Sequence, residues 1–133
     1  MTKQPKRYIL ANRLRTPKGH IIESVHRHDY VTYEEDGVQY MVDGGTDYLR
    51  RSLVGEDCSI YSDDPFDVIR EGVTWGTYGK NGDEPLRRVP LSQMSDAHIQ
   101  AVLDTQDHMA PYLRALMIVE QKYRKEHDIT ITD

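Results

Sequence analysis

Residues 28–42 read His-Asp-Tyr-Val-Thr-Tyr-Glu-Glu-Asp-Gly-Val-Gln-Tyr-Met-Val, and the pair Asp36-Gly37 inside them decides the fold class. Glycine accepts the positive φ that a tight hairpin turn requires. The β-branched and aromatic residues on either side favour a pleated, half-buried surface. The spacing predicts two antiparallel strands, 28–33 and 38–42. Upstream, 8–13 and 20–24 form a second hairpin around Thr16-Pro17-Lys18-Gly19. Downstream, 59–61 is a short strand, and 73–78 and 86–89 flank a strong turn at 79–83.

Helical signals lie between and beyond these strands. Gly44-Gly45 breaks the strand pattern, and Thr46 is expected to cap a short helix through Arg51. Asp64-Pro65 opens a helical turn reaching Arg70, since proline suits a first helical position. Ser95 caps a helix from Asp96 on which Ile99, Val102, Leu103 and Gln106 recur at i, i+3, i+4, i+7. A second long helix opens at Pro111, with Tyr112, Leu116, Val119 and Tyr123 on one face, widened by Leu113 and Met117. Lys122, Arg124 and Lys125 crowd its last turn, where cations meet the negative end of the helix dipole. The expectation is a single α+β domain over 1–133. A small antiparallel sheet from strand-rich 8–90 packs with two C-terminal helices in 95–127, and the tail 128–133 is expected to fray.

Composition narrows the function classes. Of the residues, 38% are hydrophobic and 29% charged, which is polar but not the composition of a disordered chain. The single cysteine, Cys58, rules out an internal disulfide framework and a cysteine-based zinc site, and fits a reducing compartment. No apolar run approaches the ~20 residues that span a bilayer. The basic start, 1–7, leads into no long apolar region, so a cytoplasmic protein without a secretory signal is expected. Residues 1–56 hold nine Lys/Arg against eight Asp/Glu, a balance of +1, while 57–133 hold eight against fourteen, a balance of −6. Long nucleic acids need several cations along one face and fit this chain poorly. A small phosphate-bearing ligand needs only a local cluster. In 133 residues a deep pocket would consume much of the core, so an interface between copies is the easier place to build one.

Three constellations carry possible chemistry. His26 and His28, two apart on a predicted strand, would share a face and with Asp43 or His98 make a metal site; otherwise they are a polar strand edge. Gly44-Gly45 before a helix start, with Arg50-Arg51 following, reads as an anion cradle or as a connection needing unusual backbone angles. It has neither P-loop nor GxGxxG spacing. In 73–88, Trp75 and Tyr78 offer flat faces, Lys80, Arg87 and Arg88 offer charge, and Asn81 offers an amide. Trp75 and Tyr78 reach one ligand only if Gly76 bends or bulges the strand. No nucleophile elbow is present, Cys58 has no base signature nearby, and Asp63, Asp64 and Asp67 read as a solvated helix start. The residues therefore point to binding rather than catalysis, with no cofactor and no catalytic residue assigned.

The strings Arg27-His-Asp-Tyr-Val-Thr32, Val42-Asp-Gly-Gly-Thr-Asp-Tyr-Leu-Arg-Arg51, Trp75-Gly-Thr-Tyr-Gly-Lys80 and Val89-Pro-Leu-Ser-Gln-Met-Ser-Asp-Ala-His98 together resemble the phage anti-Thoeris family, the first-described kind of Thoeris anti-defence protein. Shorter phage proteins sharing the first two strings carry cysteine pairs that resemble a zinc ribbon, which this chain lacks. The resemblance implies immune evasion inside the infected bacterial cell by a sponge. Such a protein sequesters cyclic ADP-ribose isomers such as gcADPR, made by TIR enzymes, without cleaving them. It also implies homodimers or higher homo-oligomers such as hexamers, with pockets between protomers, and in some relatives separate sites for CBASS cyclic oligonucleotides. On that reading Trp75 or Tyr78 stacks on adenine, Arg27 and Arg51 meet phosphates, Asn81 meets base or ribose edges, Asp96 accepts from a ribose hydroxyl with His98 nearby, and Arg87 is a further ligand-binding residue. The competing expectations are a metal-dependent nucleotide hydrolase using His26, His28 and Asp43, and a direct protein–protein inhibitor.

Overall fold

In the computed structural model, which describes residues 8–79 and 81–133, the chain divides into two compact units, Met1–Ile69 and Arg70–Asp133. The mixture is α+β, as the periodicities predict, but among the described residues the strands make three small antiparallel sheets rather than one.

In the first unit the elements are β1 (Ile9–Arg15), β2 (Ile21–Ser24), β3 (Val31–Glu35), β4 (Val38–Asp43), α1 (Gly45–Tyr48), β5 (Arg50–Arg51), β6 (Glu56–Asp57) and β7 (Ile60–Tyr61). β1 pairs with β2, β6 and β7, and a second sheet runs β3-β4-β5. Alternation drives Leu14, Ile22, Tyr40 and Val42 into one buried cluster, with Val31 and Tyr33 packed on it. Asp36 and Gly37 both take positive φ, 50° and 79°, as the predicted hairpin requires.

Two expectations change here. β3 starts at Val31, because residues before it are held in a turn. Asp29 accepts the Val25 N–H at 2.7 Å, and its carbonyl accepts the Ser24 hydroxyl at 2.6 Å. The helix after Gly44-Gly45 ends at Tyr48 rather than Arg51: Leu49 takes φ 53°, and Arg50 and Arg51 then pair with Asp43 and Val42 as a strand.

α2 (Phe66–Gly72) carries the unit boundary and starts after Asp64-Pro65 as predicted. The second unit then adds β8 (Thr74–Thr77), β9 (Arg87–Pro90), a 3-10 turn at Leu91–Gln93, α3 (Asp96–Thr105) and α4 (Pro111–Glu126). Ser95 caps α3, its hydroxyl accepting the His98 N–H at 3.0 Å. Leu91, Met94, Ile99 and Met117 are the fully buried apolar core.

The buried face of α4 is only partly the predicted one: Met117 is buried and Leu113, Leu116 and Tyr123 are half-buried. Val119 and Tyr112 are 42% and 45% exposed, whereas Glu120 and Arg124 are buried alongside Met117. Charge is tolerated inside because it is fully paired. Glu120 accepts two hydrogen bonds from Arg70, both at 2.8 Å, and one from Arg124 at 2.7 Å. Arg124 also donates to Asp96 at 2.6 Å and to the Leu91 carbonyl at 2.8 Å. Arg70 lies over the Tyr123 ring at 4.5 Å.

The tail is pinned rather than frayed. Ile129 N–H donates to the Arg124 carbonyl at 2.8 Å, and the Asp96 N–H donates to the Ile131 carbonyl at 2.8 Å.

Candidate ligand-binding site

The hairpin of the second unit sets one wall of a cleft. Its register runs Thr74↔Pro90, Trp75↔Val89, Gly76↔Arg88, Thr77↔Arg87 with no shift. Gly76 therefore makes no bulge, and the route expected to bring Trp75 and Tyr78 together does not form. Alternation puts Trp75, Thr77, Arg87 and Val89 on one side, and Thr74, Gly76 and Arg88 on the other. On that far side Arg88 donates to the Thr74 hydroxyl and carbonyl, each at 3.0 Å, and a side chain at Gly76 would press on its guanidinium.

On the near side lies a cleft of about 530 Å³. Thr77, Gly79 and Arg87 line it from the hairpin, Ala97, His98 and Ala101 from α3, and Asp133 from the tail. α3 turns Ile99, Val102 and Leu103 into the core, which leaves its 97/98/101 surface to the cleft. Ala97 and Ala101 are four apart and carry nothing beyond Cβ, so the floor is a bare stretch of helix. Such Cβ atoms are spaced about 5–6 Å.

The polar groups of the cleft are largely uncommitted. Among the described residues no hydrogen bond or ion pair engages the Arg87 guanidinium, the His98 ring or the Asp133 carboxylate. Gly79, at φ 86°, turns the chain out of β8, its N–H donating to the Thr77 hydroxyl at 3.1 Å. The Glu84 side chain packs on Gly79, and its N–H closes the turn onto the Tyr78 carbonyl at 2.8 Å. Tyr78 is 56% exposed, Trp75 is half-buried, and Asn81 is exposed on the turn. Lys80 lies outside the described residues.

Of the residues nominated from sequence, Arg87 and His98 line the cleft, and Trp75, Tyr78 and Asn81 belong to the hairpin that forms its wall. Asp96 is engaged otherwise: its carboxylate accepts from Arg124 at 2.6 Å and from the Ile131 N–H at 3.4 Å. Arg27 and Arg51 belong to the first unit, where Arg27 faces Asp47 at 3.3 Å and Arg51 faces Asp57 at 2.5 Å. Thr77, Gly79, Ala97, Ala101 and Asp133 were not nominated. Only the i, i+4 alanine pair on an amphipathic helix carried a signal for them.

The other two constellations have different fates. Gly45 is buried at φ 54°, and a Cβ there would stand 2.8 Å from the His26 backbone. Its N–H donates to the Ser24 hydroxyl at 2.8 Å, and its carbonyl accepts from buried Asn12 at 3.0 Å. Gly44 thus supplies a left-handed turn into α1 and Gly45 a close backbone approach, and the donor an anion would use at Gly45 is already engaged. His26 and His28 lie on a turn, not a strand, with the His28 N–H donating to His26 Nδ1 at 3.3 Å. Asp43 faces Arg50 at 3.3 Å. Among the described residues no three His, Cys, Asp or Glu side chains gather as a metal site would need. Cys58 is half-buried, and burial pushes its thiol up, away from thiolate character.

Among the described residues no helix is long and apolar enough to cross a membrane. No protein-family model, no curated protein and no solved structure matches the chain.

Proposed function

We propose that this chain binds a small anionic nucleotide in the cleft between the β8–β9 hairpin and α3, and holds it without transforming it. The ligand class favoured by the four family-like strings is a cyclic ADP-ribose isomer, bound by a homo-oligomer acting as a sponge for an immune signal. One observation carries the reading: Arg87, uncommitted among the described residues, faces a cleft of about 530 Å³. That volume falls within the range of roughly 300–1,000 Å³ that small-molecule sites occupy. A guanidinium fork matches phosphate oxygens, and the bonds it makes are about twice as strong as neutral ones. The alanine floor gives a flat ring room to lie against the helix, and Trp75 is on the cleft side of its strand. Arg27 and Arg51 are already paired with Asp47 and Asp57, so they offer an anion less than Arg87 does.

The test is recovery of the ligand. A cyclic ADP-ribose isomer is incubated with the protein, the protein is denatured, and the released nucleotide is quantified by chromatography. Intact ligand in proportion to protein is expected. Fragments that accumulate with time replace the sponge with an enzyme.

A second reading has one observation of its own. Tyr112, Ile118 and Val119 are exposed on α4, and such a surface suits direct contact with a protein target. Deproteinised lysate from cells making the signal distinguishes the two. If the lysate still activates its effector fully after exposure to this protein, small-molecule sequestration is wrong.

A further inference from the structure

The tail supplies Asp133, the one acidic residue among those that line the cleft. Asp128 takes φ 53° after α4, so the chain reverses there, and Ile129 and Ile131 are hydrogen-bonded to Arg124 and Asp96. Two residues later Asp133 joins Arg87 and His98 in the lining. Asp96 fixes this path from both ends of its own residue. Its N–H donates to the Ile131 carbonyl at 2.8 Å, and its Oδ2 accepts the Ile131 N–H at 3.4 Å. Its Oδ1 is itself held at 2.6 Å by Arg124, which Glu120 clamps from within the core. The tail's course is thereby tied to the most buried ion network of the unit.

We infer that Asp133 is a specificity-determining residue of the cleft and that Asp96 is its positioning residue. With a guanidinium and a carboxylate lining the same space, the cleft selects a ligand that joins an anionic group to a hydrogen-bond donor, a hydroxyl or an amine. A bare polyanion gains Arg87 but meets repulsion at Asp133. A nucleotide gains both, its phosphates at Arg87 and a sugar hydroxyl or base amine at Asp133. A site built to receive a donor discriminates strongly against ligands that lack it, because its acceptor is otherwise left unpaired. This rests on the cleft being the ligand site, so the test must separate the two claims.

The experiment is calorimetric titration of the full chain with two probes, ADP-ribose and inorganic pyrophosphate. The wild-type protein should prefer ADP-ribose. Asp133→Asn should lower the ADP-ribose to pyrophosphate affinity ratio by about tenfold, the scale of one hydrogen bond to a charged group. Pyrophosphate binding alone should tighten as the side chain's share of the repulsion is lost. Asp133→Glu, which keeps the carboxylate, should restore most of the ratio. Asp96→Asn should lower the ratio in the same sense while leaving pyrophosphate bound. Arg87→Ala should weaken both probes. If Asp133→Asn leaves the ratio unchanged while Arg87→Ala still weakens both, the tail inference is overturned and the cleft reading stands. If the wild-type protein binds neither probe, or Arg87→Ala changes neither, the cleft reading fails and the inference with it.

Discussion

The first unit holds its nominated arginines in ion pairs, and the second leaves one open. Arg27, Arg50 and Arg51 each face a carboxylate, Asp47, Asp43 and Asp57, within 3.3 Å. Arg87 lines a cleft and has no such partner among the described residues. In sequence the two groups look alike: cations near glycines and aromatics. What separates them is whether an acid lies within reach in the fold. A paired arginine at the surface contributes little to stability, yet its partner already neutralises part of the charge that an anionic ligand would use. Arg70 and Arg124 mark the opposite extreme, with side chains 11% and 4% exposed and committed to Glu120.

The largest effect expected follows from that extreme. Glu120→Ala removes the buried carboxylate that two arginines share, leaving Arg124 with Asp96 at 2.6 Å and Arg70 with Glu71 at 3.5 Å, and should cost about 3–5 kcal/mol, read from urea denaturation. A loss below about 1 kcal/mol would mean that Asp96 and Glu71 suffice to hold the arginines, and the contrast between committed and open cations would weaken. Next comes Gly45→Ala. A Cβ 2.8 Å from the His26 backbone, at φ 54°, should cost roughly 2–3 kcal/mol. Nucleotide affinity should be unchanged, since the Gly44-Gly45 segment is scaffold. A stable variant that had lost affinity would return that segment to the role of anion cradle.

How far the sequence spoke can be read from the same elements. The Asp36-Gly37 hairpin and the Ser95 cap were legible because each depends on a local backbone requirement that few residues meet. β5 and β6 were not: each has two residues, too few to show a period, and Arg50-Arg51 and Glu56-Asp57 lack the β-branched and aromatic residues that marked β7, Ile60–Tyr61. The inner face of α4 was partly misread because periodicity counts Glu120 and Arg124 as surface. Only their partners, such as Arg70, 50 residues away from Glu120, make them burial-competent. The cleft was half legible. Arg87 and His98 announce chemistry, while Ala97, Ala101 and Thr77 contribute shape. Asp133 enters through a tail whose anchor, Asp96, lies 35 residues back from Ile131.

A smaller effect on stability, but the most direct one on binding, is expected from Arg87→Ala. Affinity for a nucleotide should fall about tenfold, equivalent to ~1.4 kcal/mol. Stability should stay within about 0.5 kcal/mol, because no ion pair is lost. A variant that loses stability in place of affinity would move Arg87 into the committed class.

The smallest effect tests the first unit's side of the contrast. Burial pushes the Asp57 carboxyl up, but hydrogen bonds from Tyr61, Ser59 and Arg51 outweigh it and hold the group at about 2, against an ordinary 3.8. A carboxylate with a depressed value stabilises the fold fully above its unfolded value, and that contribution is lost as pH falls through the folded one. The stabilisation should therefore be complete above about pH 4 and decline from there toward pH 2. Because the Asp57 side chain is 40% exposed, solvent screening should keep it under about 1 kcal/mol. Urea unfolding between pH 2 and 5 should show this slope in the wild-type protein and a flatter one in Asp57→Asn. The same substitution frees Arg51 from its partner. If Arg51 is scaffold, nucleotide affinity will not change; if it rises, Arg51 is a ligand contact that Asp57 holds in check, and the line between the paired and the open arginines must be redrawn.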